Sequence, residues 1–183
     1  MPEAIVTHYA GQRFRSRLEA TWAVFFDLLR WPWLYEPFDL AGYIPDFVLR
    51  FSEPLLVEVK PELTLEALQK HTGKIQASGW KGEALILGAG LMDCDWQDSV
   101  ACGLLAEHAD ATWWWAAGIL GQRQGLEPCL RHSEGGYNCR LGHAAHDYHD
   151  CWKQADGCRD DFVRLWRKAQ NETQWRAWTL GAA

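Results

Sequence analysis

The sequence predicts an α/β domain in which a helix, three strands, a second helix and a fourth strand follow one another. Three observations carry this. Phe14, Leu18, Trp22, Phe25 and Leu29 recur at spacings of four, four, three and four, which is one face of a helix over residues 12–30. Two apolar runs, Tyr43 to Arg50 and Leu55 to Lys60, flank Phe51-Ser52-Glu53-Pro54 and read as a β-hairpin. Glu83 to Gly88 is a continuous apolar run, the mark of a strand covered on both faces.

Between these lie the remaining elements. Trp31-Pro32 ends the first helix, and Trp33 to Leu40 reads as a first strand. Pro61 pushes Lys60 toward extended backbone, so the second arm of the hairpin runs to Lys60. Leu63 to Ser78 reads as the second helix, capped by Thr64, with Leu65, Leu68, Thr72 and Ile75 on its apolar side. Val100 to His108 reads as a further short helix and Thr112 to Ala117 as a buried strand. Asp160 to Gln170 forms a last helix with Phe162, Leu165, Trp166 and Ala169 inward and Arg164, Arg167 and Lys168 outward.

The hairpin is where chemistry concentrates. Side chains alternate along a strand, so Glu58 and Lys60 share one face while Val57 and Val59 share the other. Asp46 opens the partner strand behind Pro45, a position that a sheet tolerates for proline. Two carboxylates and an ammonium converging on one point suit a hard divalent cation. An ordinary cross-strand ion pair on a solvated face uses the same residues.

Pro45-Asp46, eleven residues, then Glu58-Val59-Lys60 resembles the signature of the PD-(D/E)XK phosphodiesterase superfamily. The segment Tyr9 to Glu19 also resembles the opening of phage and actinobacterial proteins of that superfamily, and the likeness covers roughly the first half of the chain. The resemblance implies a restriction-endonuclease-like αβββαβ core and a nuclease of phage or mobile-element type, hydrolysing phosphodiester bonds in DNA. It implies Mg²⁺ or Mn²⁺ held by Asp46, Glu58 and the Val59 carbonyl, with Lys60 serving the attacking water or the transition state. Glu19 either forms a surface pair with Arg15 or points to the sheet as a further ligand, and the resemblance implies the second. Nucleases of this kind also use a Lys or Gln of the second helix at the phosphate. Lys70, Lys74 and Gln76 match no such position strictly and read as solvated.

Cys129, His132, Cys139, His143, His146, His149, Cys151 and Cys158 fall within thirty residues. Their spacings fit tetrahedral zinc, with Cys129, Cys139, His143 and His146 as candidate ligands, or a polar surface loop. The expected organisation is a nuclease-like core over 1–120, a His/Cys-rich appendage over 121–158 and a C-terminal helix packed on the core over 159–183.

The net charge of −6 excludes a generic nucleic-acid coat, so DNA contact must come from a local basic patch, for which Arg13, Arg15 and Arg17 are the candidates. Met-Pro-Glu-Ala carries no signal-peptide pattern, and the apolar stretch 111–120 is about half a membrane crossing. The expected setting is cytoplasmic, with reduced cysteines and no membrane partner. Two other classes use the same residues: a nucleic-acid-binding module that cuts nothing, and a zinc-stabilised interaction protein.

Overall fold

The computed structural model describes residues 5–94, 99–109, 112–123, 127–133 and 158–174. A two-stranded ribbon, β1 (Thr7–Tyr9) and β2 (Gln12–Phe14), precedes helix α1 (Arg17–Leu28). There follow β3 (Trp33–Tyr35), β4 (Phe47–Arg50), β5 (Pro54–Val59), helices α2 (Leu65–Gln69) and α3 (Thr72–Ala77), and β6 (Ala84–Asp93). Strands β7 (Val100–Ala109), β8 (Thr112–Arg123) and β9 (Glu127–His132) come next, and α4 (Arg159–Glu172) closes the described chain.

Strands β3 to β9 form one seven-stranded mixed sheet in chain order. Neighbours pair antiparallel except β5 and β6, which run parallel and are joined through α2 and α3. Helices α1 and α4 cover one face, where Trp22, Phe25, Phe162 and Trp166 pack with Leu55, Val57, Leu85 and Leu87. Helices α2 and α3 cover the other, where Leu68 and Ile75 meet Leu56, Ile86 and Leu104. The sheet is therefore flanked by helices on both faces, as the continuous apolar run at 83–88 implied.

Several elements depart from the sequence reading, each for a physical reason. Residues 12–14 are strand, because Ala10 (φ 47°) and Gly11 (φ 77°) make the left-handed pair of a tight hairpin turn. Phe14 is still fully buried, so its place on the apolar stripe reflected burial and not helix. Ser16 sets the true start of α1: its side chain accepts the Glu19 N–H at 3.1 Å, and Glu19 lies at the capping-box position. Eight consecutive residues, Glu19 to Phe26, are buried because α1 lies between the sheet and α4.

The expected strand at 33–40 is only Trp33–Tyr35, and the expected helix at 63–78 is two short helices. Thr64 caps the first of them, accepting from Ala67 N–H at 3.2 Å. Residues 100–108, expected as a helix, belong to strand β7 in the interior of the sheet, between β6 and β8. Val100 and Cys102 face the α1 side and Ala101 the other, but the register shifts between Ala101 and Gly103. That bulge flips the faces of Leu104, Leu105 and Ala106, which hides the period of two in the sequence. Strand β8 runs past residue 120 and β9 extends the sheet to His132, so Cys129 and His132 sit on a strand and not in a loop. The last helix stands as expected, with Phe162, Trp166 and Ala169 buried. Among the described residues no helix is long and apolar enough to cross a membrane.

Candidate active site

The site grows from the β4–β5 hairpin. Phe47 pairs with Val57, and continuing that register by one residue sets Asp46 beside Glu58. The Asp46 Oδ2 accepts the Val59 N–H at 2.7 Å, which ties the carboxylate across the hairpin, and its Oδ1 accepts from Arg15 at 2.7 Å. Glu58 points to the same end. Its Oε1 accepts from Lys60 Nζ at 2.5 Å and its Oε2 from the Tyr43 hydroxyl at 2.8 Å. Asp46 and Glu58 are only 5% and 3% exposed, so neither carboxylate is a solvated surface group. The cross-strand ion pair on an open face is thereby ruled out as a description of this cluster.

Two buried carboxylates at one point are electrostatically unfavourable. Burial and then the charge of Glu58 push the Asp46 carboxyl up to about 7, against the opposing effects of the Val59 N–H and Lys60. Glu19 adds to the same negative field. Its carboxylate is buried and held by three donors: the Tyr35 hydroxyl at 2.6 Å, the Ser16 hydroxyl at 2.8 Å and the Arg15 N–H at 3.2 Å. Burial and Glu19 together raise the Tyr35 phenol to about 12, so it stays a donor.

The predicted residues Asp46, Glu58 and Lys60 are thus brought together, with Glu19 behind them. Arg15 does not form a surface pair with Glu19 through its guanidinium. That group bridges Asp46 and Glu36, the latter at 2.8 Å, so Arg15 is a structural counter-ion to the cluster. Arg13 is exposed on β2 and Arg17 is exposed at the first position of α1; the three arginines do not share a helix.

Comparison with known family models, curated proteins and solved structures finds no match to this chain.

Two residues without an assigned role in the sequence complete the cluster. Tyr43 is buried, and burial and Glu58 hold its phenol far above its ordinary pKa, so it remains a donor to Glu58. A tight turn through Ala41 (φ 53°) and Gly42 (φ 94°), closed by paired backbone hydrogen bonds between Leu40 and Tyr43, places it there. Lys74 of α3 lies 3.9 Å from Glu58 Oε1 and 4.9 Å from the centre of the Tyr43 ring. Lys70 pairs with Glu62 at 2.8 Å, and Gln76 is exposed. Only Lys74 of those three reaches the site. The Ala41-Gly42 turn signal was readable; the reach of Lys74 was not, since it depends on the break between α2 and α3.

Among the described residues no group of three or more His, Cys, Asp and Glu side chains is arranged around one metal position. The donor set nevertheless fits a hard cation. Asp46 and Glu58 supply carboxylate oxygens, and the burial and like charge that oppose ionisation of Asp46 are what a bound cation would relieve. Of the candidate zinc ligands, Cys129 is buried in β9, while Cys139, His143 and His146 lie outside the described residues.

Proposed function

We propose that this chain is a divalent-metal-dependent nuclease acting on phosphodiester bonds in DNA, with a restriction-endonuclease-like core. The observation that carries the reading is the meeting of buried Asp46 and Glu58 with Lys60 at one end of the β4–β5 hairpin. The element order adds support: a helix, an antiparallel run of three strands, a helical crossover and a parallel strand.

Asp46, Glu58 and the Val59 carbonyl would hold Mg²⁺ or Mn²⁺, which when bound supplies positive charge for the phosphate and acidifies water. The chain's own groups do the positioning. Tyr43 fixes one oxygen of Glu58, and the Val59 N–H and Arg15 fix Asp46, so both carboxylates are set before any ligand arrives. Lys60 is partly exposed at the rim with its ammonium on Glu58 Oε1, from where it would turn to a phosphate oxygen or the attacking water. Glu19 is too fully hydrogen-bonded to act as a base and serves to orient Tyr35 and the start of α1.

Incubation with single- and double-stranded DNA and RNA, with Mg²⁺, with Mn²⁺ and with chelator, tests the reading. Cleavage that needs the metal and disappears in Glu58→Ala is the expected result. Wild-type protein that cuts none of these substrates, or a Glu58→Ala protein that cuts equally well, overturns it.

A further inference from the structure

A cleft of about 980 Å³ opens between the start of α1, the end of β5 and the outer turns of α4. Arg17, Glu19, Val59, Arg167, Gln170 and Asn171 are among its lining residues. Asp46, Glu58 and Lys60 do not line it, but Glu19 and Val59, which do, set it beside the carboxylate cluster: the Val59 N–H donates to Asp46 and Glu19 adds to the negative field there. Leu18 and Trp166 give it an apolar floor.

The guanidiniums of Arg17 and Arg167 are exposed and pair with no carboxylate among the described residues. Arg15, by contrast, is committed to Asp46 and Glu36, and Arg164 to Asp161. In a chain of net charge −6, two arginines lining one cleft, with no carboxylate partner among the described residues, are a local reversal of sign. Guanidinium forks match phosphate oxygens, and the amides of Gln170 and Asn171 can both donate to and accept from sugars and base edges.

We infer that this cleft binds a single strand of nucleic acid, with backbone phosphates at Arg17 and Arg167, and leads it to the Asp46–Glu58 cluster. The choice of ligand rests on the nuclease reading. The choice of a single strand rests on size: about 980 Å³ is near the upper end for a pocket that encloses one small ligand, room for a few nucleotides but not for a duplex. The basic groove beside an apolar floor is also how single strands are tracked without sequence preference.

Fluorescence polarisation with a labelled single-stranded oligonucleotide of mixed sequence, in chelator so that nothing is cut, tests binding apart from catalysis. The Arg17→Gln/Arg167→Gln variant, checked for an unchanged melting temperature, is expected to bind about tenfold more weakly at moderate salt. The slope of log affinity against log salt should fall by about 1.4, for two lost phosphate contacts on a single strand. An Arg164→Gln/Lys168→Gln variant, altered elsewhere on α4, should bind as wild type does. Wild-type affinity in the first variant, or an equal loss in the second, overturns the cleft. A duplex of the same sequence that binds as tightly and with the same sensitivity overturns the single-strand assignment. If wild-type protein cuts nothing yet binding depends on Arg17 and Arg167, the nuclease reading fails and the cleft stands.

Discussion

Glu58 and Asp46 receive different donors, and the difference sets what each contributes. Glu58 is held by an ammonium and a phenol, whereas Asp46 is held by a backbone N–H and a guanidinium. At Asp46 burial and the like charge of Glu58 prevail over these donors, raising its carboxyl to about 7. A carboxyl whose folded-state pKa lies above its unfolded value binds its proton more tightly when folded. Stability from that proton is complete below the ordinary pKa near 4 and is lost as pH rises through about 7. Asp46→Asn cannot ionise and keeps an acceptor for Val59. In chelator at pH 8 it is expected to be more stable than wild type by about 2 kcal/mol, shrinking toward zero by pH 4, as read from urea midpoints. A variant less stable than wild type at pH 8 would show that the Arg15 pair outweighs the repulsion.

Lys60 and Tyr43 should separate in kinetics. Lys60→Ala removes a rim ammonium and is expected to lower kcat by about a hundredfold with metal affinity retained. Tyr43→Phe removes one hydrogen bond from Glu58 and is expected to cost about tenfold in rate, with metal bound more weakly because Glu58 is less well oriented. Equal metal affinity in the wild type and Tyr43→Phe would contradict the orienting role.

At the level of elements, the bulge in β7 is the feature most sensitive to one added methyl. A Cβ on Gly103 would stand 1.9 Å from the Ile86 carbonyl oxygen, a backbone atom of the neighbouring strand that cannot turn away. Gly103→Ala is expected to cost about 3 kcal/mol, seen as a fall of roughly 10 °C in melting temperature. A fall of under about 2 °C would mean that the β6–β7 seam can spread. The same bulge explains which elements were legible in the sequence. The β4–β5 hairpin was, because period-two alternation there is unbroken and Pro45 and Pro61 bound it. Strand β7 was not, because the one-residue slip after Ala101 gives its apolar residues a spacing that imitates a helix. Asp46, Glu58 and Lys60 were legible as a group because strand geometry alone brings them together. The parts played by Tyr43 and Arg15 were not, since a turn at Ala41-Gly42 or Ala10-Gly11 can be read from the sequence but the side chain it delivers to the site cannot.

Across the whole molecule, α4 is stitched to α1 by the Trp22–Trp166 ring contact at 4.4 Å and by a buried hydrogen bond between the Thr21 and Thr173 hydroxyls at 2.8 Å. Among the described residues, β6–β7, β7–β8 and β8–β9 each pair across a short connection. The β5–β6 pair differs: it is parallel and closes only after the chain has passed through α2 and α3. A contact with that long a loop forms late and opens early, because loop closure must be met before pairing is rewarded. The Lys60 N–H, bonded to the Leu87 carbonyl at 2.9 Å, lies on this seam at the edge of the site. Hydrogen exchange should find it exchanging through partial opening, at a lower free energy than the β7–β8 amides. Equal protection at the two places would refute the seam as a weak line. If it is weak, rising urea will part the Asp46–Glu58–Lys60 cluster from the sheet first, leaving a β6–β9 remnant, with Trp113, Trp114 and Trp115 on β8, still folded.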